Sequence, residues 1–257
     1  MSAARAQPIS TRPQDLPVKG SLPRLRVAYE KGERLAYLGH LEVLTTMERS
    51  LRRSGLPVSL GNGFARRMRV QFSQALPVGA SSACEYLDVR LEERVDVDEA
   101  LERLVRATPP ALAPLRAAYV CRDLPALEAW LNRADWAVEL GPLCPAQELL
   151  DAIEAVRLQG EVRYLRGDKE KVVDVAGALV GASVAERDGG LSLVIETRST
   201  PGGSLRPQVL VDAALRSMGL PPADAPRVRR VRQAHEEDGC LVEPFGPMEQ
   251  AARAPLS

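Results

Sequence analysis

The chain has 257 residues and a mass of 27.9 kDa, room for one large domain or two small ones. Hydrophobic residues make up 45% and charged residues 26%, which excludes a chain disordered throughout. The 19 glycines and 20 prolines are too few for a collagen or low-complexity polymer. Net charge is zero, 34 Lys and Arg against 34 Asp and Glu, yet residues 1–72 carry 13 basic and 5 acidic side chains while residues 73–160 carry 8 and 15. The asymmetry marks either an anion-binding face near the N-terminus or an acidic middle that neutralises it in the folded chain. Lysine is confined to Lys19, Lys31, Lys169 and Lys171. So heavy a use of arginine suits forked contacts to phosphate and also follows from a GC-rich genome.

No apolar run approaches the ~18 residues of a membrane span, and MSAARAQPIS lacks the apolar segment of a signal peptide. A cytoplasmic protein with no membrane association is expected. Cys84, Cys121, Cys144 and Cys240 lie far apart with no CxxC pair, and the only histidines are His40 and His235. That spacing predicts reduced thiols, no metal site and no cofactor.

In chain order, residues 1–22 are proline-rich and read as a mobile tail. Leu25 to Tyr29 alternates as a strand. Residues 40–53 read as an amphipathic helix with Leu41, Leu44, Met47 and Leu51 toward a core, Gly39 as N-cap and Gly55 as stop. Pro57–Leu60 and Arg69–Phe72 read as short strands about a glycine-containing loop. Glu85–Leu91 alternates as a half-buried strand, Val97–Ala107 as a helix and Leu112–Val120 as a strand. A second series follows: a short helix over 125–132, a strand over 136–140 and a helix over 145–156. Strands over 162–165 and 172–175 come next, then a strand over 191–196, a helix over 207–218 and a strand over 228–231. Residues 234–257 read as a second tail. The order predicts an α+β protein of two tandem ferredoxin-like βαββαβ units, over 23–122 and 123–233.

His40 stands where a helix N-terminus lowers the imidazole pKa. It reads either as a general base or as a residue that caps and packs. The loop 61–69 brings glycines together with Arg66, Arg67 and Arg69, as a phosphate cradle or a solvated hairpin. Gly202–Pro207 leads into a helix with Arg206 beside it, as an anion site or a tight connection. Lys171 belongs to a charged hairpin with Lys169 and Asp174. Glu85 and Asp88 are an odd number of residues apart, so they cannot share a strand face as a catalytic pair.

The stretch RVAYEKGERLAYLGHLEVLTTMERSLRRSGLPV, the Gly63-Phe64 pair and FSQALPVGASSACEYLDVRL resemble the bacterial radical SAM-linked protein family. LPALEAWLNRADWAVEL, KVVDV, GGSLRP and the arginine-rich run Arg227–Arg232 extend the likeness over residues 24–233. Two departures stand out. The chain has Gly39-His40-Leu41-Glu42 where the family has Ser-His-Leu-Asp, and Ala65-Arg66-Arg67-Met68 where it has Asn/His-Pro-x-Pro. The resemblance implies a domain of unknown function fused to, or encoded beside, a cobalamin-binding radical SAM protein. The chain itself lacks the CxxxCxxC motif of such an enzyme.

The resulting expectation is a non-catalytic accessory protein that presents RNA to that enzyme, with Arg66, Arg67, Arg69, Lys171 and Arg206 as substrate-binding residues. A stand-alone enzyme acting on a phosphate-bearing substrate, with His40 as its catalytic residue near the 61–69 loop, is the competing reading. A purely structural adaptor is the third.

Overall fold

The computed structural model describes residues 21–61, 65–187, 189–201 and 203–246. Alternation in β1 (Arg24–Lys31) buries Leu25, Val27 and Tyr29 on one side. The helix α1 (His40–Arg53) begins at Gly39, whose N–H donates to the carboxylate of Glu42 at 2.7 Å. Past its end Gly55 takes φ +68°, a conformation open to glycine. The short strand β2 (Val70–Phe72) leads to β3 (Ala80–Arg90). The carboxylate of Asp96 accepts the N–H groups of Asp98 and Glu99 and so starts α2 (Val97–Ala107), which is followed by β4 (Pro114–Val120). The strands lie antiparallel in the order β4-β1-β3, with β2 on the far side of β3.

A connection containing the one-turn helix α3 (Leu127–Trp130) leads to β5 (Arg133–Leu140) and α4 (Ala146–Gln159). A hairpin of β6 (Glu161–Arg166) and β7 (Lys169–Asp174) is inserted here as its own two-stranded sheet. Then come α5 (Val175–Ala178), β8 (Leu179–Arg187), β9 (Gly190–Arg198), α6 (Pro207–Ser217), β10 (Arg227–Glu237) and β11 (Cys240–Val242). The order β10-β5-β9-β8 is again antiparallel. The fold is α+β, and each half repeats the same strand order, as the element sequence predicts.

The two halves share one sheet. β10 runs parallel against β3, pairing Val228 with Ala80 and Arg230 with Ser82, and so joins nine strands. Two apolar cores lie on the helix side, one under α1 and α2 around Leu25, Met47 and Leu87, the other under α4 and α6 around Val138, Ile153 and Leu210.

Four expectations are corrected. Leu41 is 76% exposed, and Val43 is buried in its place. β3 is buried on both faces, not half-buried. The C-terminal stretch is not a tail as far as it is described: β10 continues through His235 to Glu237, pairs with β11, and the chain then buries Phe245. At the other end Leu22 is also buried, and residues 1–20 and 247–257 of the expected tails lie outside the described residues. The strand β8 carries Gly181, Ala182, Ser183 and Ala185, too little apolar bulk for its alternation to show in the sequence.

The physical reason for the second and third corrections is one buried polar layer. On the outer side of the first unit Asp88 accepts Arg24 Nε and Arg26 Nε, both at 2.7 Å, and all three side chains are nearly inaccessible. The remaining N–H groups of Arg24 donate to the carbonyls of Leu124 and Pro125, and one of Arg26 to that of Pro244. Arg26 also lies over the Trp130 ring at 4.7 Å, and Arg116 over Phe245 at 4.2 Å. Charged side chains that read as a solvated face therefore anchor both the α3 connection and residues 240–246 onto the sheet.

Candidate functional site

On the helix side the two cores do not merge. Between them, along the seam of β3 and β10, sits a polar cluster of Tyr29, Lys31, Ser82, Glu85 and Arg230. Its placement follows from strand register: Glu85 has the same parity as Leu87, Val89 and Leu91, and Arg230 the same as Val228, so both point to the core side. Arg230 donates Nη1 and Nη2 to the carbonyl of Gln74 at 3.1 and 3.0 Å, and its guanidinium lies over the Trp136 ring at 4.9 Å. Its Nε faces Glu85 Oε1 at 3.5 Å, too long for a hydrogen bond, and both atoms are buried without another partner. Glu85 Oε2 accepts from Ser73 Oγ at 3.2 Å. Lys31 Nζ donates to the carbonyls of Ala36 at 2.9 Å and Ala80 at 3.2 Å, tying the turn after β1 to the start of β3.

His40 opens α1 within the field of this cluster. Burial lowers its pKa first; Glu85 and Glu128 pull it up, and Arg230 and Lys31 push it down. Burial likewise lowers Lys31 and raises Tyr29 well above the usual phenol range. The Cys84 thiol is pushed up to about 12, mainly by burial and then by Glu85. Among the described residues no group of three or more His, Cys, Asp or Glu side chains converges to hold a metal ion.

Beside the seam lies a groove of about 800 Å³ between the turn at Tyr37, the loop 77–80, the β6–β7 hairpin and the first turns of α6. Arg163, Arg166, Arg206 and Arg216 line it together with the carboxylates of Glu170 and Asp212. Arg163 is 3.4 Å from Glu161. Asp212 Oδ1 is buried without a partner, and burial raises its pKa against the pull of the Ala223 backbone and Arg216. Among the described residues the side chains of Arg166 and Arg206 form neither a hydrogen bond nor an ion pair.

The residues singled out in the sequence do not form one patch. Arg206 lines the groove, and Lys171 is exposed on β7 opposite the groove residue Tyr164. Arg66 and Arg67 are exposed at the tip of the loop before β2, whose residues 62–64, like Gly202, lie outside the described residues. Arg69 accepts the N–H of Arg90 on its carbonyl, five residues along β3 from Glu85, or about 16 Å of extended strand. Arg69 thus lies well along β3 from Glu85. Sequence reading missed Glu85, Arg230, Arg163, Arg166 and Tyr37. One signal was present: Glu85 is a charge at the apolar parity of an alternating strand.

Residues 24–207 match the family described as an uncharacterized protein conserved in bacteria, DUF2344. The chain belongs to this family. No curated protein matches it. Among solved structures it is similar to a chain of a Cbf5-Nop10-Gar1 complex, at 12% identity and a TM-score of 0.44, covering 91% of this chain and 57% of that one. A chain of the archaeal box H/ACA sRNP Nop10-Cbf5 complex gives 14% identity and a TM-score of 0.40, covering 88% and 53%. An unknown protein from Galdieria sulphuraria gives 12% identity and a TM-score of 0.26, covering 82% and 99%. This family member thus spans little more than half the length of the first two. Among the described residues no helix is long and apolar enough to cross a membrane.

Proposed function

We propose that this chain is an accessory protein that binds RNA in the groove beside the seam and presents it to a partner enzyme. The observation that carries the reading is the pair Arg166 and Arg206, unpaired among the described residues on the wall of a groove that also holds Arg163 and Arg216. Guanidinium groups without a carboxylate partner, gathered in a concave wall, focus a positive field and fork onto phosphate oxygens. The chain as a whole is neutral, so this attraction is local to the groove. Lys171 on the adjoining hairpin adds to it. The resemblance to the radical SAM-linked family supplies the class of partner, a cobalamin-binding radical SAM protein. The accessory rather than catalytic role is supported by Glu85 being engaged by Ser73 and Arg230, and by a Cys84 thiol far from ionising at neutral pH.

The test is purification of the native chain from its cell with and without ribonuclease, with RNA binding measured across salt concentrations. A radical SAM protein and RNA are expected to co-purify. Each phosphate contact to single-stranded RNA contributes about 0.7 to the slope of log affinity against log salt. Arg166→Glu with Arg206→Glu is therefore expected to flatten the slope by about 1.4. A folded chain that retains its partner but no RNA at low salt would make it a structural adaptor. Loss of the partner enzyme's product in His40→Gln, with RNA binding intact, would move the chemistry onto this chain.

A further inference from the structure

Tyr37 is an aromatic ring with nothing to do inside the molecule. It is 79% exposed, and among the described residues it has neither a hydrogen bond nor a ring or cation partner. The chain is otherwise sparing with its rings: Tyr86 and Phe245 pack edge to face, Trp130 stacks on His235, and Tyr119 and Trp136 lie under Arg94 and Arg230. Yet the backbone beneath Tyr37 is held firmly. The neighbouring Ala36 carbonyl accepts both Lys31 Nζ and the N–H of Gly79, and the turn closes with the N–H of Leu38 donating to Leu35. Gly79 has φ +89°, and a Cβ there would come within 3.9 Å of Tyr37 Cε1, so the loop lies along the edge of the ring. Val78 at 66% and Leu165 at 74% exposure line the same groove as the four arginines.

A wall made only to hold a phosphate backbone has no use for exposed apolar faces. Such faces fit bases that are not already stacked on one another, and a duplex hides its bases in the helix stack. We infer that the groove takes single-stranded RNA, a loop or an end, with one base stacked on Tyr37 while Arg166 and Arg206 hold flanking phosphates. The inference rests on the proposed RNA-binding role and names the form of RNA it selects. A fixed ring bordered by guanidinium groups is the sequence-tolerant way to hold unpaired nucleotides.

The experiment compares a short oligouridine with an RNA duplex of equal phosphate number, by fluorescence anisotropy over a salt series. The single strand is expected to bind at least about tenfold more tightly, since stacking contributes only there. Tyr37→Ala is expected to weaken the single strand by about ten- to a hundredfold with its salt slope unchanged, and Tyr37→Phe to restore it. The ring is exposed, so circular dichroism should report an unaltered fold. Arg166→Glu with Arg206→Glu should instead lower the slope. Equal binding of both RNA forms, with no effect of Tyr37→Ala, overturns the single-strand inference and leaves RNA binding standing. If neither RNA binds, both are overturned. Tighter binding of polyglutamate than of RNA would make the groove a site for an acidic protein and overturns both.

Discussion

Arg230 of β10 and Glu85 of β3 face one another across the seam of the two units, Nε to Oε1 at 3.5 Å, with side chains 2% and 7% exposed. The pair belongs to the polar cluster that lies between the two apolar cores. Each side chain gains its other contacts from a different place, Arg230 from Gln74 and Trp136, Glu85 from Ser73. Removing one partner leaves a buried charge without compensation. Arg230→Met is therefore expected to cost about 3–5 kcal/mol in urea unfolding. Arg230→Lys restores the charge but not the planar fork and is expected to recover only part of the loss. A loss under about 1 kcal/mol for Arg230→Met would show that the seam is held by its backbone pairing alone.

Residues 240–246 are expected to behave as part of the fold. Phe245 is buried, sits 6.0 Å from the Tyr86 ring and lies under Arg116. Phe245→Ala is expected to lower stability by about 3 kcal/mol in thermal or chemical unfolding. An unchanged midpoint would return this segment to the status of a tail.

The imidazole of His40 should titrate below the ordinary histidine range, because burial disfavours its charged form. The consequence for stability has a definite sign. Above the unfolded pKa of about 6.5 both states are neutral and His40 contributes nothing. As pH falls through that value the unfolded chain takes up a proton first, so stability drops until the folded pKa is passed. His40→Gln is expected to remove this part of the acid dependence. Ring resonances in the NMR spectrum of a His235→Gln background, where His40 is the remaining histidine, report the midpoint directly. A midpoint at or above about 6.5 contradicts the expectation.

Thiol labelling should separate the cysteines by burial. Cys121 and Cys240 are exposed, whereas Cys84 is buried and its thiol is held up to about 12. With an alkylating reagent at mildly alkaline pH, Cys121 and Cys240 are expected to react promptly and Cys84 only as the chain unfolds. Prompt modification of Cys84 in the native chain would mean that the seam opens far more readily than its packing implies.

Local pattern made much of the fold legible. The helices over 40–53 and 97–107 form where their apolar spacing marks them, although the first turns Val43 rather than Leu41 inward, because such spacing depends on residues a few positions apart. The repeated strand–helix order announced two ferredoxin-like units for the same reason. What failed was the fate of charges. Arg24, Arg26 and Asp88 alternate with apolar residues as a wetted strand face does, and the α3 connection and residues 240–246, brought in from elsewhere in the chain, help to bury them. The candidate site shares this limit. His40 and Arg206 could be picked out locally, whereas the groove that Arg206 shares with Arg163, Arg166, Arg216 and Tyr37 is assembled from segments far apart in the chain.

The amino-acid sequence by itself thus determined the class of the fold and the order of most of its helices and strands. Side-chain alternation and helical spacing are set within a few residues and need no knowledge of the rest. Tertiary structure alone decided that β10 pairs with β3, joining residues about 150 positions apart into one sheet and bringing Arg230 to Glu85. It likewise decided that the outer arginines are structural while Arg166 and Arg206 stand open. Whether a charge is solvated, buried or free depends on what the distant chain lays over it, and the spacing of neighbouring residues carries no record of that.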